Sequence, residues 1–168
     1  SPFSESLNLK IFNAAITGLN NDKAFKNLKD NVEFKNNLAG LFIEKKDQII
    51  SSMMKDGDLP IESVVSLSKF VELSLFTPPL GNESTSALNR LPDELSGLIG
   101  GLIKDARDNG NSNSARLAGR LLGAVDNAAE RARDRVANDK AARDKFIDTV
   151  VGLAFDLIPF PGIGKLGE

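Results

Sequence analysis

Cysteine, histidine, tyrosine and tryptophan are all absent from this 168-residue chain. Without cysteine there is no disulfide framework, and the redox compartment stays open. Without histidine or cysteine, a Ser-His-Asp triad, a Cys-His dyad and a zinc site of the usual kind are impossible within the chain. Acid–base chemistry would fall to Asp, Glu, Lys, Arg or Ser. Paired-carboxylate sites of that sort exist, but they usually sit among aromatic sugar platforms, and phenylalanine is the only aromatic residue here. Glu62 with Glu72 and Asp93 with Glu94 are the pairs such an enzyme would use. Their spacing carries no special signal, and capping or solvation explains them. An excess of positive charge is also missing: the formal net charge is −2, whereas nucleic-acid binding needs a clustered basic face. The expectation is a non-enzymatic chain with no cofactor, no metal and no nucleic-acid partner. There is neither an initiator methionine nor a signal-peptide pattern, so the stretch reads as a piece of a longer protein.

What is present has a helical period. The chain is 41% hydrophobic and 26% charged, which fits one globular domain or two small ones sharing a core. At this length folding buries roughly 70% of the unfolded surface without help from metals or disulfides. Leu7, Ile11, Ala14, Ala15 and Ile16 mark one face of a first helix. Asn20-Asn21-Asp22 breaks it and caps a short second helix with Ala24, Phe25 and Leu28 inward. Asn31 caps a third, carrying Phe34, Leu38, Leu41, Phe42, Ile49, Ile50, Met53 and Met54. Gly57 suits that helix's C-terminus. Asp58 then offers a cap for a fourth, with Pro60 in its first turn and Ile61, Val64, Val65, Val71, Leu75 and Phe76 inward.

Composition changes across Thr77–Ser86, "TPPLGNESTS". No arginine precedes Arg90, and phenylalanine vanishes between Phe76 and Phe146. The expected division is an N-terminal subdomain over 1–80, a linker over 81–91 and a C-terminal subdomain over 92–168. Pro92-Asp93-Glu94 opens the next helix, with Leu95, Leu98, Ile99, Leu102 and Ile103 apolar. "DNGNSNS" ends it. A long helix follows with Leu117, Leu121, Ala124, Val125, Ala128, Ala132 and Val136, and a last one covers 139–158, stopping before Pro159.

Four motifs stand out. "MKDGDLPIESVV" (54–65) has part of a calcium-loop pattern, but its first and last ligand positions hold Met54 and Val65 and its glycine position holds Leu59. A helix–turn–helix corner is the simpler reading. Gly97 with Gly101 and Gly119 with Gly123 have GxxxG spacing, which lets helix backbones approach closely. Lys104, Arg116 and Arg120 interrupt any membrane span, so the two helices are expected to pack on each other through these glycines in water. "ERARDRVANDKAARDK" (130–145) mixes both signs of charge, which reads as a solvated helix face. In the final helix Asp144, Asp148, Gly152 and Asp156 recur every four residues. That leaves one polar edge on an otherwise apolar rod, so the helix is expected at the centre of a bundle with its aspartate edge wet. Protonating that edge in acid would favour membrane entry through Phe146, Val150, Leu153, Phe155 and Leu157, the alternative reading.

From Ala115 onward, "ARLAGRLLGAVDNAAERARDRVANDKAARDKFIDTVVGLAFDLIPFPGIGKLGE" resembles the helical regions that precede toxin domains in bacterial secreted polymorphic toxins, including type VII secretion substrates. An Ala/Arg-rich helix leads there to an apolar helix and a Leu-Ile-Pro-x-Pro-Gly turn. The resemblance implies a secreted or cell-surface protein in which this region serves export, assembly or delivery by binding a protein partner. The expected fold is an all-α bundle of six or seven helices, either as one unit or as two packed subdomains. Phe76, Leu80, Phe160 and Ile163, apolar residues beside turns, are the candidate partner contacts.

Overall fold

The structure, a computed structural model, describes residues 2–77, 85–136 and 144. Six helices follow in order: α1 (Pro2–Gly18), α2 (Asp22–Leu28), α3 (Val32–Met53), α4 (Ile61–Leu75), α5 (Ser86–Asn109) and α6 (Ser112–Val136). Among the described residues there is no strand, and the fold is an all-α bundle.

Helices α2 and α3 begin where local side chains satisfy free backbone N–H groups. Asn21 Oδ1 accepts from Ala24 N at 3.1 Å and Asn31 Oδ1 from Phe34 N at 3.0 Å, capping α2 and α3. Of the expected inward face of α1, Ile16 is buried as placed, but Leu7 and Ile11 are not. Those residues are 48% and 49% exposed, whereas Phe12, Ile16 and Leu19 are fully buried. Ile11 stands one residue, about 100° of helix, from Phe12. The larger ring determines which side turns in. Phe12, Phe42 of α3 and Phe70 of α4 form a triangle with centroids 5.2–6.1 Å apart, within the range of favourable aromatic pairs.

The helix buried on all sides is α4. From Ser66 to Leu75 every residue except Lys69 is buried, and α4 packs on α1, α3, α5 and α6. Of the segment expected at the centre, 139–158, all but Asp144 lies outside the described residues. The first turn of α4 behaves differently. Ile61 is 77% exposed and Val65 is 38% exposed, contrary to their expected inward placement.

The approach to α4 also differs from expectation. Met54, not Gly57, is the C-cap of α3. Asp56 (φ 54°) and Gly57 (φ 77°) then make a two-residue reversal. Lys55 N donates to Asp58 O at 2.8 Å and Asp58 N to Lys55 O at 3.0 Å, the pattern of a type I′ turn. Pro60 is the N-cap of α4 and receives no side-chain help. Asp58 is therefore free of the capping role assigned to it from sequence.

Residues 86–91, expected in the linker, are helical and belong to the core. Ala87, Leu88 and Leu91 are 6%, 5% and 0% exposed. Helix α5 starts at Ser86 rather than Pro92 because Asn36 of α3 reaches across: its Oδ1 accepts from both Ala87 N and Leu88 N at 3.1 Å. This supplies from another helix the cap that Thr85 does not provide. Helix α5 then runs straight past Pro92. Buried residues from α1 to α6 form one continuous hydrophobic cluster.

Helices α5 and α6 do pack together, but not through Gly97 and Gly101. Both are exposed, and a Cβ placed on either meets nothing within 4 Å. The buried positions of α5 are instead Leu95, Ser96, Ile99 and Ile103. The turn between the helices has Gly110 in the left-handed conformation at φ 64°. Asn111 Oδ1 accepts from Asn113 N and Ser114 N, capping α6. The Asp105 carboxylate receives Asn109 Nδ2 (2.7 Å), Asn111 Nδ2 (2.8 Å) and Ser114 Oγ (2.6 Å).

Candidate functional site

Two polar clusters lie inside the bundle. Glu72 of α4, 4% exposed, accepts from Arg131 Nε at 2.7 Å, and Arg131 also donates to Ser68 Oγ at 2.5 Å. Arg131 was expected on a solvated face. It keeps that exposure in part while its guanidinium reaches α4, and Arg133 pairs at the surface with Glu130 at 2.7 Å. Lys35, 1% exposed, donates to the Lys29 carbonyl and to Thr77 Oγ1, each at 2.7 Å. The Thr77 hydroxyl in turn donates a hydrogen bond to the Leu73 carbonyl. Glu72 thus meets an opposite charge and Lys35 meets hydrogen-bonding oxygens, the kind of partner a buried charge requires. They orient helices and leave no group aimed into an open cavity.

One open feature is a cleft of about 440 Å³ between the 55–61 turn and α6. Leu59, Pro60, Ile61 and Val64 line one side, and Gly119, Arg120, Gly123 and Asn127 the other. The sequence turns Gly119 and Gly123 to the same side of α6 because they are four apart, and their missing side chains deepen the wall. Asp58 and Arg120 close one end. Arg120 NH2 lies 3.4 Å from Asp58 Oδ2, and Leu59 N donates to Asp58 Oδ1 at 2.8 Å. Chiefly the Arg120 hydrogen bond, then that from Leu59 N, holds the Asp58 carboxyl below its ordinary value of 3.8; nearby Arg116 adds to the effect. The cleft thus joins an apolar wall to a rim with Lys55 and Arg120 outnumbering Asp58. Its chemistry suits a helix or peptide with apolar and acidic sides, and it lacks a proton-transfer pair.

The proposed carboxylate pairs do not converge. Glu62 and Glu72 are ten residues apart on α4, about 15 Å along the axis, and Glu72 is held by Arg131. Glu94 pairs with Lys46 at 3.4 Å while Asp93 is exposed. Among the described residues no group of three or more acidic side chains could hold a metal ion. Of the residues picked from sequence as partner contacts, Phe76 is a core residue at 2% exposure, so it presents no surface in the folded bundle. Leu80, Phe160 and Ile163 lie outside the described residues, as do Phe146, Val150, Leu153, Phe155 and Leu157, the residues of the membrane alternative. No described helix is long and apolar enough to cross a membrane. Sequence reasoning missed the cleft because its two walls are some 60 positions apart. The type I′ Asp-Gly pair at 56–57 was the one local sign that the chain reverses there.

Fold and site together define a helical bundle with hydrogen-bonded internal charges and an apolar, basic-rimmed surface cleft. No family model, curated protein or solved structure matches this chain.

Proposed function

We propose that this chain is a non-catalytic helical interaction module of a bacterial secreted or surface-exposed protein, serving export, assembly or delivery through a protein partner. The resemblance of the stretch from Ala115 onward to pre-toxin regions supports the secreted setting. The observation that carries the interaction role is the pair Leu7 and Ile11, one helical turn apart on α1 and about half exposed. Apolar residues so placed form a stripe that a partner helix can cover.

The test is made in the source cell with an epitope-tagged copy. Unchanged protein is expected outside the cell. The double substitution Leu7→Asp/Ile11→Asp is expected to reduce the external amount at least about tenfold, a loss of roughly 1.4 kcal/mol or more in partner affinity, with equal amounts inside. Equal export of the variant, or absence of the unchanged protein from the outside, overturns the reading.

A further inference from the structure

The turn between α5 and α6 carries the only Asn-Gly pair of the chain, Asn109-Gly110. Asn109 is exposed as the last residue of α5, and Gly110 is the left-handed C-cap. Glycine has no Cβ to shield its backbone nitrogen, and a Cβ placed on Gly110 would meet nothing within 4 Å. The Asn109 side chain is at the same time part of the structure. Its Nδ2 donates to Asp105 Oδ1 at 2.7 Å, on the carboxylate that also receives Asn111 and Ser114. We propose that Asn109 is a site of spontaneous deamidation, with water as the co-reactant, and that its conversion loosens the junction of α5 with α6. This inference goes beyond the export role and does not depend on it.

The reaction needs only the chain and water. The Gly110 backbone nitrogen gives up its proton to water and bonds to Asn109 Cγ. The Cγ–Nδ2 bond breaks, and the amide nitrogen leaves as ammonia from a succinimide ring. Water then opens the ring at one of its two carbonyls, which leaves aspartate or isoaspartate at 109. In sum, water enters, ammonia leaves, and nothing is oxidised or reduced. The Asp105 bond draws the Asn109 amide back along the helix, so the ring closes when the last turn of α5 frays, as helix ends do. Asn111 and Asn113 in the same turn are exposed as well. Each of them precedes a serine, whose Cβ crowds the attacking nitrogen. Once formed, the product cannot restore the lost contact. A carboxylate at 109 has no proton to donate to Asp105, and like charges four apart on a helix repel. It also stands at the negative end of the α5 dipole. The strain falls on Asp105, the group that holds the buried Ser114 in the first turn of α6.

The test incubates the folded full chain at mildly alkaline pH and maps it by mass spectrometry. Amide-to-acid conversion is expected at Asn109 at least about tenfold faster than at Asn111 or Asn113, with both aspartyl and isoaspartyl products. A rate at 109 no greater than at those two neighbours overturns the proposal. A second measurement reads the consequence for the fold. Asn109→Asp, which stands for the aspartyl product, is expected to lower the urea midpoint and to raise hydrogen exchange at the Ser114 amide. In an Asp105→Asn background amide and carboxylate exchange places across the contact, and the same substitution should cost less. A midpoint unmoved by Asn109→Asp, or a loss equally large in both backgrounds, overturns the link to the α5–α6 junction.

Discussion

Arg131 and Glu72 show how a single contact joins distant parts of the chain. They are 59 residues apart, and only Arg131 retains access to water, at 36% against 5% for the Glu72 side chain. Removing one member of such a pair leaves a buried charge poorly compensated, which costs more than the pair itself contributes. Arg131→Met is therefore expected to destabilise the bundle by about 3 kcal/mol, read as a lower urea midpoint at unchanged slope. Glu72→Gln in the same background should recover part of the loss, because the neutral amide is cheaper to bury. Recovery separates a charge effect from lost packing. Phe70 sets the comparison for packing. It touches both other rings of the aromatic triangle and is fully buried. Phe70→Ala should cost about 3–5 kcal/mol, and no charge substitution should rescue it.

The start of helix α5 depends on a residue outside it. Asn36 satisfies two of the N–H groups that every helix leaves unpaired at its N-terminus. Asn36→Ala should cost about 1 kcal/mol and should raise hydrogen exchange first at the amides of Ala87 and Leu88. Asn36→Asp should keep most of the stability. Within the same helix, Gly97 and Gly101 have open space where a Cβ would go. Alanine at either is expected to stabilise by roughly 0.5–1 kcal/mol; a destabilised Gly97→Ala in urea titration would restore the glycine-mediated packing expected from sequence. These two cases mark what a reader of the sequence could see. The number of helices among 2–136, their order and the caps at Asn21 and Asn31 were legible, because cap and capped group are three residues apart. The true start of α5 was not, because its cap comes from 51 residues away and Pro92 offered a plausible local start. The inward face of α1 was misassigned because counting apolar positions gave Phe12 no more weight than Leu7. The cleft depended on bringing Asp58 to Arg120, and no local pattern encodes that pairing.

At the scale of the whole molecule, α6 is held to the bundle by its seams with α4 and α5, and two carboxylates add to them. Asp58 ties the 55–58 turn to Arg120, and Asp105 ties the end of α5 to Ser114 and Asn111. Both carboxyls have pKa values below the ordinary 3.8. Asp58 is lowered first by the Arg120 hydrogen bond, and Asp105 first by the Ser114 hydroxyl, then by Asn109 and Asn111. A carboxyl whose pKa is lower in the folded chain contributes its full stability above the unfolded value. As pH falls below that value the unfolded chain takes up the proton first, and the contribution disappears through the folded pKa. The urea midpoint is thus expected to change little between about pH 5 and 7 on account of these two groups, and to fall below about pH 4. Asp58→Asn/Asp105→Asn should lower the midpoint at neutral pH, and its difference from the unchanged protein should shrink as acid removes the same contacts from both. A difference that stays constant down to low pH would mean that the two carboxylates act by shape alone, and that acid loosens the molecule through other groups.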